Sequence, residues 1–328
     1  MTKVVRIHKQ GGPEAMVFED IQEGAPGPGE ALIGMKAIGL NRSEASFRAG
    51  GYVEPTAMPS RIGYEGSGVV LATGPGVETV KAGDEVCIVP SFRQGVYGVY
   101  AEQAIVPAAS LLAKPEGLTF AEAASIWMQY FTAWAIVEIG KVGVGDYVII
   151  PAASSSVGVA AIQICNWTGA TPIAATRRSD KAEALKAQGA AHVIATEEQD
   201  LVAEVNRITD GRGARVVFDP VGGPYVETLA QAMAIDGILF VYGGLSGQPT
   251  PYPHWTAAFK GLSLRGWVAT QIWGRPERYA RATALIRQGL KEGRLKPVIS
   301  RTFTLDQIVE AHRYLESNQQ IGKVVVTV

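Results

Sequence analysis

Residues 146–176 have the composition and spacing of a site that binds a dinucleotide. An apolar run is followed by a tight turn of small residues, a helix and a second apolar run, which lets a pyrophosphate reach the free amides of a helix N-terminus. The usual G-x-G-x-x-G pattern is degraded, because only its last glycine remains. The predicted pyrophosphate contacts are Ser154, Ser155, Ser156, Val157 and Gly158. An ordinary turn whose serines cap the helix is the alternative.

Basic residues follow the second apolar run, at the position where NAD-dependent enzymes place a carboxylate on the ribose 2′-hydroxyl. This position reads Thr176, Arg177 and Arg178, with Lys181 shortly after. An arginine can bind a 2′-phosphate and stack on adenine, whereas a carboxylate would repel the phosphate. The sequence therefore predicts NADP(H) as the cofactor. Two solvated surface arginines are the alternative, and the pattern does not separate Arg177 from Arg178.

Strand and helix signals alternate from about residue 120 onwards. After a long predicted helix over residues 120–139, predicted strands at 147–152, 172–176, 192–195, 215–219 and 238–242 are separated by helices. This order predicts an α/β class with a doubly wound parallel sheet. The first 120 or so residues carry short apolar runs between Gly/Pro-rich turns, which favours a barrel or a partly closed sheet. A last predicted strand over 323–328 could rejoin this first domain.

Three residues lie at the ends of predicted strands, where ligands bind in open α/β sheets. Asp219 ends one strand, and Tyr242 and Gly243 end the next. We expect all three to contact the cofactor. For Asp219, a turn cap before Pro220 is the alternative.

Composition narrows the class of partner. The formal net charge is −1 and there is no run of like charge, so neither nucleic acid nor an anionic membrane is an expected partner. The two cysteines, Cys87 and Cys165, are far apart and form no disulfide framework. With no signal-like or membrane-length apolar stretch, a cytoplasmic location is expected.

Six motifs spread over the chain resemble the medium-chain dehydrogenase/reductase superfamily, and in particular its zinc-independent quinone oxidoreductase (ζ-crystallin-like) branch. They are GLNRSEASFRAGGY, GYEGSGVV, VKAGDEV, AASSSVGVAAIQI, FDPVGG and YGG. The resemblance implies a discontinuous GroES-like catalytic domain over residues 1–122 and 266–328, an NADP-binding Rossmann domain over 123–265, and a homodimer.

Zinc-dependent members of this superfamily bind a catalytic zinc with two cysteines and a histidine. The corresponding positions here read Asn41, Tyr64 and Met128, which are not a zinc ligand set. The four-cysteine structural zinc lobe is absent as well, and the four histidines lack ligand spacing. No metal site is therefore expected.

Without a metal, charge that develops on a substrate oxygen must be met by hydrogen-bond donors. The expected catalytic residues are Tyr52, Tyr64 and Asn41. Tyr52 lies in the segment where related reductases carry an active-site tyrosine, and Tyr64 replaces the histidine ligand. By the same resemblance, Asn41, Thr132 and Lys323 are expected to contact the cofactor. A rim position for Tyr52, and a hydrogen bond from a buried Tyr64 to Glu65, are the structural alternatives.

These observations favour an NADPH-dependent enzyme that transfers hydride to a quinone or an α,β-unsaturated carbonyl compound. An enoyl-thioester reductase is the second candidate. A non-catalytic NADPH-binding protein is the third, and the near-neutral charge argues against a nucleic-acid-binding role for it.

Overall fold

The computed structural model describes all 328 residues and divides them into two compact units. One unit, here the catalytic unit, consists of Met1–Met128 and Pro297–Val328, and the other, the cofactor unit, of Gln129–Lys296. No helix combines the length and the apolar character that crossing a bilayer would require.

The strands of the chain are β1 (Thr2–Ile7), β2 (Met16–Ile21), β3 (Glu30–Leu40), β4 (Ser60–Arg61), β5 (Glu65–Thr73), β6 (Glu85–Ile88), β7 (Gln103–Pro107), β8 (Leu111–Ala113), β9 (Tyr147–Ile150), β10 (Thr171–Thr176), β11 (His192–Ala195), β12 (Ala214–Asp219), β13 (Met233–Val241), β14 (Ser263–Gly266), β15 (Ile299–Thr304) and β16 (Lys323–Thr327). The α-helices are α1 (Arg42–Arg48), α2 (Gln94–Tyr97), α3 (Phe120–Ala123), α4 (Trp127–Ala133), α5 (Ala135–Glu138), α6 (Ser156–Thr168), α7 (Ala182–Ala187), α8 (Leu201–Ile208), α9 (Val226–Gln231), α10 (His254–Lys260), α11 (Thr270–Trp273), α12 (Pro276–Lys291) and α13 (Ile308–Glu316).

The cofactor unit is built on one six-stranded sheet with the order β11-β10-β9-β12-β13-β14. Every neighbouring pair in it is parallel, and the order reverses between β9 and β12. The residues of β9 are apolar and its last three are fully buried, as expected of a strand covered on both faces. The predicted α/β class with a doubly wound parallel sheet is confirmed.

The catalytic unit contains a seven-stranded sheet along β15-β16-β3-β5-β6-β8, with β7 also on β3, and a three-stranded sheet β2-β1-β4. Strand β16 pairs antiparallel with β3, bringing Val324 opposite Leu40. The prediction that the last strand rejoins the first domain is therefore confirmed. A mainly apolar core lies against this sheet and includes Ile33, Ile38, Tyr100 and Val326.

The boundary predicted at residues 265/266 differs from the structure, which places the division after Lys296. The reason is packing: α12 belongs with the cofactor unit, because Arg278 and Arg281 pair with Glu138 and Tyr279 packs against Phe131. Strand β14, the sixth strand of the parallel sheet, ends at Gly266, so the difference concerns the residues that follow this strand.

The single helix predicted over residues 120–139 is also wrong, since three short helices, α3, α4 and α5, replace it. The first of these helices ends at its C-cap residue Ala124, whose carbonyl oxygen lies close to Gly39. A β-carbon on residue 39 would be 1.9 Å from that oxygen. Tertiary contact with β3 thus overrides the helical preference of an alanine-rich segment.

Candidate active site and cofactor site

The turn between β9 and α6 presents the N-terminus of a 13-residue helix. Ser155 caps this helix, its hydroxyl accepting a hydrogen bond from the Gly158 amide at 3.0 Å. A β-carbon on Gly158 would lie 2.5 Å from the Ala153 carbonyl oxygen, so only glycine allows this close approach of helix and turn. Ala152 takes a left-handed φ of 47°, which bends the chain sharply before the helix.

The other predicted residues of the turn lie on its partly exposed side. Ser154 accepts a hydrogen bond from Lys181 Nζ at 3.1 Å, while Ser156 and Val157 form the first turn of α6. The structure thus brings Lys181 directly onto the turn, a contact that sequence spacing could not supply. Burial lowers the pKa of Lys181.

The basic loop after β10 holds two arginines with different surroundings. Arg178 Nε donates to Glu197 at 2.9 Å, and the pair is exposed. Arg177 is exposed and forms no ion pair, and Thr176 ends the strand just before it. The structure therefore distinguishes two residues that the sequence left equivalent. Arg178 is paired with a carboxylate, whereas Arg177 is not.

Asp219 and Tyr242 lie at the same carboxyl edge of the sheet, because β12 and β13 run parallel to β9. Both oxygens of the buried Asp219 accept backbone amides, from Val221 at 2.8 Å and Gly222 at 2.9 Å. Asp219 is thus a turn cap, as its alternative interpretation had it. Burial raises its pKa, and the two amides oppose that rise.

Tyr242 stacks on Phe218 with the ring centroids 4.1 Å apart. Burial raises its pKa well above the ordinary value, and its hydroxyl, which faces Ser155, makes no hydrogen bond of ordinary length. Gly243 follows, with no room for a β-carbon beside the Pro220 carbonyl.

Thr132 lies elsewhere in this unit, on α4, where its carbonyl oxygen accepts a hydrogen bond from the Trp267 indole at 2.8 Å.

In the catalytic unit, Asn41 is the N-cap of α1 and its amide group is fully engaged. Its Nδ2 donates to the Gly39 carbonyl and to Glu44 Oε1, both at 3.1 Å, and its Oδ1 accepts from Lys323 Nζ at 2.6 Å. Both amide protons therefore have intramolecular acceptors. This argues against the expected donation from Asn41 to a substrate or to the nicotinamide.

Lys323 is the second departure from expectation. Its ammonium group is fully buried and bridges Asn41 to Glu65 Oε2, also at 2.6 Å, while Glu65 Oε1 accepts the Met128 amide at 3.0 Å. In this structure the ammonium group is directed at these two side chains, and its expected contact with a cofactor stays a prediction. It compensates a buried carboxylate, a pairing that two residues 258 positions apart do not reveal in sequence.

Glu44 is a buried carboxylate that sequence reasoning missed. It accepts the Asn41 amide at 2.6 Å, the Tyr64 amide at 3.1 Å and the Tyr100 hydroxyl at 2.7 Å. Burial raises its pKa, and these hydrogen bonds oppose the rise. The Asn41-x-x-Glu44 spacing of a helix N-cap was the available signal.

The two predicted tyrosines lie together, with their rings edge to face and the centroids 6.3 Å apart. The Tyr64 hydroxyl donates to Glu54 Oε2 at 2.5 Å, so its acceptor is Glu54 and not the adjacent Glu65. Burial raises the pKa of both phenols, and both therefore remain protonated at neutral pH. Glu54 was the other residue missed by sequence reasoning.

The positions that correspond to zinc ligands do not form a metal site. The Asn41 oxygen binds Lys323, the Tyr64 hydroxyl binds Glu54, and a methionine occupies position 128. No group of three His, Cys, Asp or Glu side chains lies close enough to hold a metal ion. The donor set does not fit zinc.

The aromatic residues that follow β13 in the chain are divided between core and surface. Trp267 is buried and Trp273 packs against Phe131. Tyr252 and Trp255 are instead exposed. They therefore do not form one planar slot.

Comparison with known proteins covers the whole chain. A model of the alcohol dehydrogenase GroES-like domain matches residues 27–116, and a model of zinc-binding dehydrogenases matches residues 156–288. The second range does not include Asn41, Tyr64 or Met128, the positions that correspond to zinc ligands. A 2-haloacrylate reductase from Burkholderia sp. is 29% identical over 99% of both chains. A solved NAD-dependent alcohol dehydrogenase is 33% identical over 99% of both chains, with a TM-score of 0.88.

A solved Escherichia coli quinone oxidoreductase in complex with NADPH is 26% identical over 99% of this chain and 100% of that one, with a TM-score of 0.92. The GroES-like match lies within the catalytic unit, and the dehydrogenase match lies within the cofactor unit. The chain therefore belongs to the medium-chain dehydrogenase/reductase superfamily, in its quinone oxidoreductase branch.

Proposed function

We propose that this protein is an NADPH-dependent oxidoreductase that reduces a quinone or an α,β-unsaturated carbonyl compound without a metal ion. The observation that carries the proposal is a pair of protonated phenols in the catalytic unit, Tyr52 and Tyr64. Tyr64 is at the sequence position where zinc-dependent relatives have a histidine ligand. Donors of this kind can stabilise an oxyanion that a zinc ion would otherwise neutralise.

The residues of the cofactor unit fit NADPH. The turn that Gly158 allows to approach α6 closely, together with the amides at the start of this helix, would hold the pyrophosphate. Ser154 and Lys181 would lie beside it. Arg177 would bind the 2′-phosphate. The similar quinone oxidoreductase has NADPH bound, whereas the similar alcohol dehydrogenase is NAD-dependent, so the preference depends on this chain's own basic loop.

Bound NADPH supplies a hydride. The residues of the chain must then stabilise the substrate as negative charge develops on its conjugated oxygen. Tyr52 is the donor we assign to that oxygen, since the structure records no acceptor for its hydroxyl, whereas Tyr64 already donates to Glu54. The named substrates of two relatives, a quinone and a 2-haloacrylate, share a C=C bond conjugated to an electron-withdrawing carbonyl or carboxylate.

NADPH oxidation followed with a quinone, an enone and an enoyl thioester tests this function. We expect turnover with the quinone or the enone, and no loss of it with a chelator present. Preference for the enoyl thioester would favour the enoyl-thioester reductase. Tight NADPH binding with no turnover on any acceptor would favour a non-catalytic protein.

We also propose a homodimer, formed through an apolar surface that we call the α10 patch (Tyr252, Trp255 and Phe259). These side chains are 60%, 70% and 84% exposed, and they lie on α10 or just before it, in the segment that precedes β14, the edge strand of the parallel sheet. Clustered exposed aromatics of this kind are typical of protein interfaces. Light scattering should give twice the 34.8 kDa chain mass.

Trp255→Glu with Phe259→Glu should return the mass to that of one chain, because two buried charges would oppose association. Val144→Glu, at an isolated apolar residue that is 92% exposed, is the matched control and should leave the dimer intact. An unchanged mass in the double variant would exclude this surface.

A cytoplasmic location is also proposed, supported by two buried cysteines that form no disulfide.

A further inference from the structure

Glu54 stands at one end of a short chain of polar groups in the catalytic unit. One carboxylate oxygen accepts the Tyr64 hydroxyl at 2.5 Å, and the other accepts the Gly95 amide at 3.2 Å. The Tyr64 side chain is buried, but Glu54 is only half-buried. Glu54 therefore connects a buried phenol to solvent.

Tyr52 stands at the other end. Its ring packs edge to face on Tyr64, with the ring centroids 6.3 Å apart. Burial raises the pKa of Tyr52, and the Tyr64 hydroxyl partly opposes the rise. The phenol packed on Tyr52 is therefore one whose hydroxyl is bonded to Glu54.

We infer that Glu54 is the positioning residue that restores, through Tyr64, the proton that Tyr52 gives to the reduced substrate. This inference rests on the proposed function. The Tyr52 O–H bond breaks as an O–H bond forms on the substrate oxyanion. Tyr64 then passes its proton to the Tyr52 oxygen, and the Glu54 carboxylate takes a proton from water, leaving hydroxide, and passes it to the Tyr64 oxygen. The hydride of NADPH is the only reductant that the sequence of steps requires.

The first test is Glu54→Gln, which keeps the size of the side chain and an oxygen acceptor but removes the acid. We expect kcat to fall by about 100-fold, at the lower end of what proton transfer contributes to catalysis. KM and the NADPH dissociation constant should stay within about twofold. The solvent deuterium isotope effect on kcat should rise, because reprotonation becomes rate-limiting. A residue with only a structural role would not change that isotope effect.

The matched control is Glu30→Gln, which alters the hydrogen bond from Tyr97 to Glu30 at 2.9 Å, a phenol–carboxylate contact remote from Tyr52 in the sequence. It should leave both kcat and the isotope effect unchanged. Tyr64→Phe, which interrupts the relay at its middle, should reproduce the Glu54→Gln defect. The double variant should be no slower than the worse single variant by more than about twofold, since a relay broken twice loses nothing further.

Full activity of Glu54→Gln, or multiplicative defects in the double variant, would overturn the relay while leaving the reductase function intact. Absence of turnover by the unmodified protein with all acceptors would instead remove the proposed function, and the relay with it. Thermal melting of each variant checks that folding is retained. If Glu54→Gln melts early, Tyr64→Phe with the isotope effect carries the test.

Discussion

Replacing Arg177 and Arg178 together by alanine is expected to weaken NADPH binding by about 100-fold and to leave NADH binding within about twofold. Hydrogen bonds to charged groups contribute about 1.5–3 kcal/mol each. A 100-fold loss corresponds to about 2.7 kcal/mol, and so to one such interaction with the 2′-phosphate. NADH lacks that phosphate and has nothing to lose there. Titration of each dinucleotide, followed by its fluorescence, gives both constants.

The structure divides this effect between the two arginines. Arg178 is already paired with Glu197, whereas Arg177 has no ion pair, so Arg177→Ala alone should account for most of the loss. Arg207→Ala is the control, since Arg207 is an exposed arginine of the same unit that pairs with Glu204. Equal losses for NADPH and NADH would show that the loop does not recognise the 2′-phosphate.

Tyr52→Phe is expected to lower kcat by about 100- to 1,000-fold, because it removes the donor assigned to the substrate oxygen. The expected KM changes little, since a hydrogen bond that strengthens only as charge develops contributes mainly to the transition state. Steady-state kinetics with an enone or a quinone, at saturating NADPH, measures both parameters.

Tyr97→Phe is the control for loss of a phenol, because Tyr97 belongs to the same unit and donates to Glu30. The defect of Tyr64→Phe should be smaller than that of Tyr52→Phe, as Tyr64 acts through its neighbour. A Tyr52→Phe variant that retains kcat would place the substrate donor elsewhere. A Tyr64→Phe variant that is slower than Tyr52→Phe would exchange the two assignments.

The cofactor unit was predictable because its information is local. Strand, turn and helix follow one another within residues 146–176, and the carboxyl ends of parallel strands must share one edge of a sheet. Ser155 and Gly158 therefore lie where the spacing placed them. The roles of Arg177 and Arg178 could not be separated, since the partner of Arg178 is on the loop after β11.

The catalytic unit was less predictable because its polar groups are paired across long sequence distances. Lys323 and Glu65 meet only because β16 returns to the sheet beside β3. The resemblance predicted that Lys323 contacts the cofactor. In the structure its buried ammonium group instead makes two short hydrogen bonds, to Asn41 and to Glu65. Tyr64 was correctly expected to be buried, yet its acceptor lies ten residues back along the chain.

The domain boundary illustrates the same limit. Residues 266–296 contain no turn or composition change that marks them as part of the cofactor unit. The ion pairs of α12 with Glu138 determine where they pack. Such contacts are absent from any local pattern.

The central claim is direct hydride transfer from NADPH to a conjugated acceptor. Purified protein should be incubated with NADPH carrying deuterium at both C4 positions and with a simple enone, and the product analysed by mass spectrometry and NMR. The account predicts one deuterium per product molecule, at the β-carbon, with the second hydrogen derived from water. Product without that deuterium, or deuterium on the carbonyl carbon as in reduction to an alcohol, would contradict it.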